Sequence, residues 1–97
     1  SAVSSQLFAA YSKVKSVRNL AAIIGEEELS SIDKIYMKFG EMMEVKFFAQ
    51  NEDQNRSIEE TLDLGWELLR LLPRSELYRI KDELLDKYYE TDSKEEN

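Results

Sequence analysis

Carboxylates are the only chemically versatile side chains this sequence has in quantity: it contains 20 Asp and Glu but no His and no Cys. Imidazole general bases, thiolate nucleophiles, disulfides and Cys/His zinc sites are therefore absent from this sequence. General acid/base catalysis by two carboxylates would need both held in a shaped, water-poor cleft. Here the acidic residues fall on the predicted outer faces of helices or at their ends, so no catalytic residue is assigned and the chain is read as a non-enzyme. The acidic groups GEEE (Gly25 to Glu28) and NED (Asn51 to Asp53) lack the ligand spacing of an EF-hand, so no metal ligand is assigned. Gly25, Gly40 and Gly65 are isolated, and none precedes a Lys-Ser/Thr pair, so no phosphate-cradling loop and no cofactor are expected.

The acidic residues that remain of interest lie in two places. Glu59, Asp63 and Glu67 recur at i,i+4 spacing and form one narrow polar strip on an otherwise apolar helix. Either water screens that strip or a basic partner does. The segment GEEELSSID (Gly25 to Asp33) sets Glu26, Glu27 and Glu28 beside a helix start, where the helix dipole favours negative charge. Helix capping alone and capping combined with a cationic partner are both consistent with this pattern.

The elements that position these groups are helical. Ser57 with Glu60 reads as a capping box, and Pro73 stops the helix it begins. Ile58, Thr61, Leu62, Leu64, Gly65, Trp66, Leu68, Leu69, Leu71 and Leu72 sweep more than half of its circumference, which predicts neighbours on two sides. Near the N-terminus, Val3, Leu7, Ala10, Tyr11, Val14 and Val17 share a stripe. Leu20, Ile23 and Ile24 then leave its phase, which predicts a break near Lys15 to Ser16 and a second short helix ending at Gly25 as a left-handed cap. Ser30 with Asp33 starts a third helix carrying Ile32, Ile35, Tyr36, Phe39, Met42, Met43 and Phe47, with Met37 and Phe48 opposite as a secondary contact. Asn51 to Asn55 is a polar antiparallel turn, and Ser75 caps a fifth helix with Leu77, Ile80, Leu84, Leu85 and Tyr88 inside, fraying beyond Tyr89.

The expected class is all-α, a single bundle of about five helices joined by short turns. A domain is expected over residues 1–90, with residues 91–97 expected to form an acidic disordered tail. Ninety-seven residues suffice for one modest core. The net charge of −7 opposes nucleic-acid binding, and no apolar run is long enough for membrane insertion. A cytoplasmic location is expected. Residues 1–24 carry +3 and the rest −10, which suggests either electrostatic complementarity between early and late helices or an oriented docking surface.

In order and spacing, SSQLFAAY (Ser4 to Tyr11), LAAIIGEEELSSIDKIYMKF (Leu20 to Phe39), NRSIEETLDLGWELL (Asn55 to Leu69) and LPRSEL followed by RIKDELLDKYY (through Tyr89) resemble the C-terminal domain of the non-catalytic B subunit of archaeal and vacuolar type rotary ATP synthases and ATPases. The resemblance covers nearly all of the chain outside the tail. It implies a fragment of a larger polypeptide, a helical cap at the membrane-facing end of a ring of A and B subunits, peripheral to the membrane and close to the central stalk. The phosphate-contacting region and the arginine that assists the neighbouring catalytic site are expected upstream of Ser1. Implied partners are the catalytic A subunit and the central-stalk subunits.

GEEELSSID aligns by type with the acidic helix–turn–helix that related rotary ATPases place against the rotor, with Glu27, Glu28, Leu29, Ser30 and Asp33 in matching positions. Ser31 and Ile32 depart from a fully acidic pattern, which favours a steric contact tuned by charge. Family members tend to have an acidic residue and a glycine where this chain has Lys13 to Ser16, so the helix break is expected to be less sharp. The competing reading is an independent cytosolic adaptor that docks a basic or apolar partner helix on Met37 and Phe48 or on the Glu59, Asp63 and Glu67 strip.

Overall fold

The first helix is one uninterrupted rod. In the computed structural model, which describes residues 1–48 and 57–90, α1 runs Ala2–Ile24 for 23 residues, with Ser1 Oγ accepting the Ser4 N–H at 3.2 Å. The break expected near Lys15 to Ser16 does not occur. No Gly or Pro lies between Ala2 and Ile24, so nothing in the backbone chemistry interrupts the hydrogen-bond ladder. The change of phase at Leu20 instead marks where the helix outruns the core: Val3, Leu7, Ala10, Val14 and Val17 are buried, while Leu20, Ile23 and Ile24 are exposed. Only Gly25 turns the chain. Its N–H donates to the Ala21 carbonyl at 2.8 Å, and its φ of 95° and ψ of 145° differ from the expected left-handed helical cap but still require positive φ.

A short 3-10 turn, Glu26–Glu28, leads through Leu29 and the N-cap Ser30 into α2, Ser31–Met43, which continues as a π-helical segment, Glu44–Phe48. Tyr36, Phe39, Gly40 and Met43 form its buried face. Gly40 lies against α1 so closely that a Cβ there would stand 2.5 Å from Val14 Cγ1. The next described helix, α3, Ile58–Leu69, has the expected capping box: Ser57 Oγ accepts the Glu60 N–H at 3.1 Å, and Glu60 Oε1 accepts the Ser57 N–H at 2.8 Å. Gly65, Trp66, Leu68 and Leu69 turn inward. Contrary to the expectation of cover on two sides, Ile58, Leu62 and Leu71 are exposed.

The predicted fifth helix is shorter and starts later than the Ser75 cap implies. Arg74–Glu76 is a single 3-10 turn, and helix resumes only at α4, Asp82–Leu84, which continues into a π-helical segment, Leu85–Tyr89. Two demands prevent a continuous helix. Leu77 and Ile80 both enter the core, and the one buried polar side chain among the described residues, Gln6, grips the backbone at Glu76 and Arg79. Gln6 Nε2 donates to the Glu76 carbonyl at 3.4 Å, and its Oε1 accepts the Arg79 N–H at 2.7 Å. Leu85 joins the core, whereas Leu84 and Tyr88, expected inside, are exposed. Gln6→Ala should therefore cost about 1 to 3 kcal/mol in urea unfolding by leaving the Arg79 N–H unsatisfied. A loss below about 0.5 kcal/mol would show that those turns hold themselves.

The class is all-α: the described residues contain no strand and four α-helices, where about five were expected, since the first two predicted helices are one. α1 packs on both α2 and α3. The core is continuous, from Val3, Leu7, Val14 and Val17 on α1 through Phe39 and Met43 on α2 to Trp66, Leu68, Leu69, Leu72, Leu77 and Leu85. The expected turn at Asn51 to Asn55 and the tail at 91–97 lie outside the described residues.

Candidate functional site

The end of α1 and the turn that follows it form a projecting tip. Leu20, Ile23 and Ile24 are 40%, 80% and 43% exposed. At about 100° per residue they span roughly 100° of arc, so they form one contiguous apolar surface. The 3-10 turn then presents Glu26, Glu27 and Glu28 in succession, all exposed. Its backbone closes through Glu28 N–H to the Gly25 carbonyl and Leu29 N–H to the Glu26 carbonyl, both at 3.2 Å.

The structure assigns different work to the five residues expected at this contact. Glu27 and Glu28 face solvent, and no ion pair reaches Glu26, Glu27 or Glu28 among the described residues. Leu29 is buried, so it anchors the turn rather than offering a surface. Ser30 Oγ accepts the Asp33 N–H at 3.2 Å, which makes that pair the start of α2. Beside the turn a groove of about 400 Å³ is bordered by Glu27, Leu29, Lys34, Met37, Lys38 and Glu41, bringing Met37 to the same end of the molecule.

The other secondary residues are dispersed. Phe48, about 16 Å further along the helix axis than Met37, meets Tyr11 edge-on with ring centroids 5.1 Å apart and Phe47 at 6.0 Å. Met37 and Phe48 thus engage different neighbours. The strip on α3 also divides. Glu67 pairs with Lys46 at 2.7 Å, so its basic partner belongs to the same chain. Glu59 and Asp63 border a second groove of about 490 Å³ with Leu62, Trp66, Leu84 and Tyr88.

Behind the tip, α1 is fastened to the end of α2. Arg18 donates to both carboxylate oxygens of Glu44, at 2.6 and 2.9 Å, and the Tyr11 hydroxyl donates to the same carboxylate at 2.7 Å. Lys13 and Lys15 lie over the Tyr36 and Tyr11 rings. The charge asymmetry of the sequence is thus met internally at Arg18 and Glu44. The Arg18 hydrogen bond, with that from Tyr11, lowers the Glu44 pKa to about 2 from an ordinary 4.5. A depressed folded-state pKa contributes stability above the unfolded value that is lost as pH falls through the folded one. With the carboxylate 38% exposed, solvent screening limits this contribution to about 1 kcal/mol. Unfolding free energy should drop by that amount more in the parent than in Glu44→Gln between about pH 5 and pH 2; parallel pH profiles would contradict it.

Sequence patterning missed the apolar tip and this network. The tip had a signal, a phase drift without Gly or Pro; the Tyr11, Arg18 and Glu44 cluster had none, because its members are 26 and 33 residues apart in sequence. No group of His, Cys, Asp and Glu among the described residues is arranged to hold a metal.

Residues 1–89 match the family described as the C-terminal domain of V and A type ATP synthase. The chain belongs to this family. Relatives of this V/A-type ATP synthase domain include V-type ATP synthase beta chain 2 of Treponema pallidum (strain Nichols), 60% identical over 87 residues, and the V-type ATP synthase beta chain of Halothermothrix orenii, 58% identical over 87 residues. A third is the B subunit of the A-type ATP synthase of Methanopyrus kandleri, 52% identical over 87 residues. These alignments cover 90% of this chain but 18%, 19% and 9% of the respective relatives. The V/A-type ATP synthase domain thus spans about a fifth or less of the curated relatives it matches. None of its described helices is long and apolar enough to cross a membrane.

Proposed function

We propose that this domain is a non-catalytic structural and coupling module of the B subunit in a rotary ATP synthase or ATPase. In this reading it takes part in ATP-linked proton or sodium transport by bearing on the catalytic A subunit and on the central stalk, and all nucleotide chemistry lies elsewhere in the assembly. The family membership supports the setting. The observation that carries the coupling role is the tip: in a domain of this family, Glu27 and Glu28 stand exposed at the end of the longest helix with no ion pair among the described residues. The body behind it suits the transfer of force, since its core is continuous and the Arg18 and Glu44 pair holds the two helices of the tip together.

A photoreactive amino acid placed at position 27 of the full-length protein, in the assembled complex, tests this. The expected product is a covalent adduct with a component of the central stalk, formed in some rotational states and not others. Adducts confined to the surrounding ring, or none at all, would overturn the rotor contact.

A further inference from the structure

We propose that residues 82–90 are an ion-controlled strap: Arg74 holds their acidic face against the body, and the strap opens and recloses as a unit while the rest of the core stays packed. α4 has three residues and the π-helical segment after it five, too few to stand as a helix unaided. Leu85 is the one side chain of this stretch that enters the buried core. The other fastenings are few. The Arg70 guanidinium donates to the Tyr88 carbonyl and the Tyr89 hydroxyl to the Leu72 carbonyl, both at 2.7 Å, while Tyr88 stacks on Trp66. The π-helical segment packs chiefly on α3, whereas α1, α2 and α3 pack on one another. Departure of the strap therefore leaves the three-helix body in contact with itself, the condition for a local rather than a global opening.

The charge pattern makes Arg74 the control. Asp82, Asp86 and Glu90 recur at i,i+4 spacing, so by themselves they repel one another and unwind the strap. Arg74 reaches all three carboxylates, at 3.5 Å to Asp82, 2.8 Å to Asp86 and 2.7 Å to Glu90. Attraction wins because those gaps are shorter than the roughly 5 to 6 Å between Cβ atoms one helical turn apart. The three carboxylates are 89%, 69% and 39% exposed, so dissolved salt reaches both kinds of interaction. With Arg74 present, salt screens attraction and loosens the strap. With Arg74 replaced by a neutral residue, salt screens repulsion and tightens it. Leu84 and Tyr88 border the groove at Trp66, so one wall of that groove moves with the strap.

The test is amide hydrogen exchange of the full-length protein, followed by mass spectrometry at about 0.05 and 0.5 M salt and scaled to an unstructured peptide of the same sequence. In the parent, exchange over residues 82–90 should be about threefold faster at high salt, with peptides from α1 and α2 unchanged. Arg74→Gln should speed exchange of the strap about tenfold at low salt, and added salt should then slow it. Adding Asp86→Asn to Arg74→Gln removes one repelling charge and should recover about half of that loss on a logarithmic scale. Salt effects of the same sign in the parent and in Arg74→Gln would overturn the ionic control, as would a double variant no slower than the single one. Acceleration spread equally through α1 and α2 would overturn the separate opening. An Arg74→Gln strap that exchanges like the parent would show that Leu85 and the two tyrosines hold it without the arginine, and would overturn the proposal.

Discussion

Trp66→Ala should destabilise the fold by about 3 to 5 kcal/mol, read as a lower urea midpoint at an unchanged slope. Trp66 is 5% exposed and stacks on Tyr88, with centroids 5.4 Å apart and planes 25° from parallel. Its ring forms part of the wall of the groove bordered by Val3, Leu62 and Leu84. Truncation removes the transfer energy of an indole and the stacking contact together. The groove would then deepen toward Leu68 and Leu69, admitting water where the parent has packed carbon. Trp66→Phe keeps an aromatic face against Tyr88 and should recover more than half of the loss. A cost below about 1 kcal/mol for the alanine variant would mean that the ring contributes nothing to the core.

Gly40→Val should cost about 3 kcal/mol, and its sign can be argued from distance alone. In an exposed helix, replacing Gly by Ala gains up to about 1 kcal/mol of propensity. Here the added Cβ would sit 2.5 Å from Val14 Cγ1 and 3.1 Å from an Arg18 guanidinium nitrogen. Val14 is wholly buried and has nowhere to go, so α1 and α2 must separate. Valine adds two methyls to the same overlap, which removes the ambiguity left by alanine's helix-forming gain. The same separation would pull Arg18 from Glu44, so thermal melting of Gly40→Val should also lose the part of its pH dependence between about 5 and 2 that Glu44 contributes. Stability equal to the parent would show that the two helices have slack at their crossing.

The all-α class was legible because local chemistry agreed with packing wherever a cap and a stripe coincided. Ser57 with Glu60 and Ser30 with Asp33 both start helices as the residue types require. The errors arose where tertiary packing overrode local pattern. Ser75 has the right chemistry for a cap, but Gln6, some seventy residues earlier in the chain, holds Glu76 and Arg79 in turns that no local window reveals. Similarly, the drift at Leu20, Ile23 and Ile24 was visible in the sequence, yet whether it meant a bent helix or a helix running past its core depended on where α2 ends its cover. The acidic turn was legible from its composition. Its apolar neighbour was not, because exposed and buried isoleucines read alike in a sequence.

The unbroken α1 also has a mechanical consequence. Its close crossing at Val14 and Gly40 lies about 14 Å from Ile23 and about 18 Å from Ala2, measured along the axis. That crossing is a fulcrum, and the helix is a first-class lever: a sideways shove at Ile23 would reappear at Ala2 reversed in direction and enlarged by about a third.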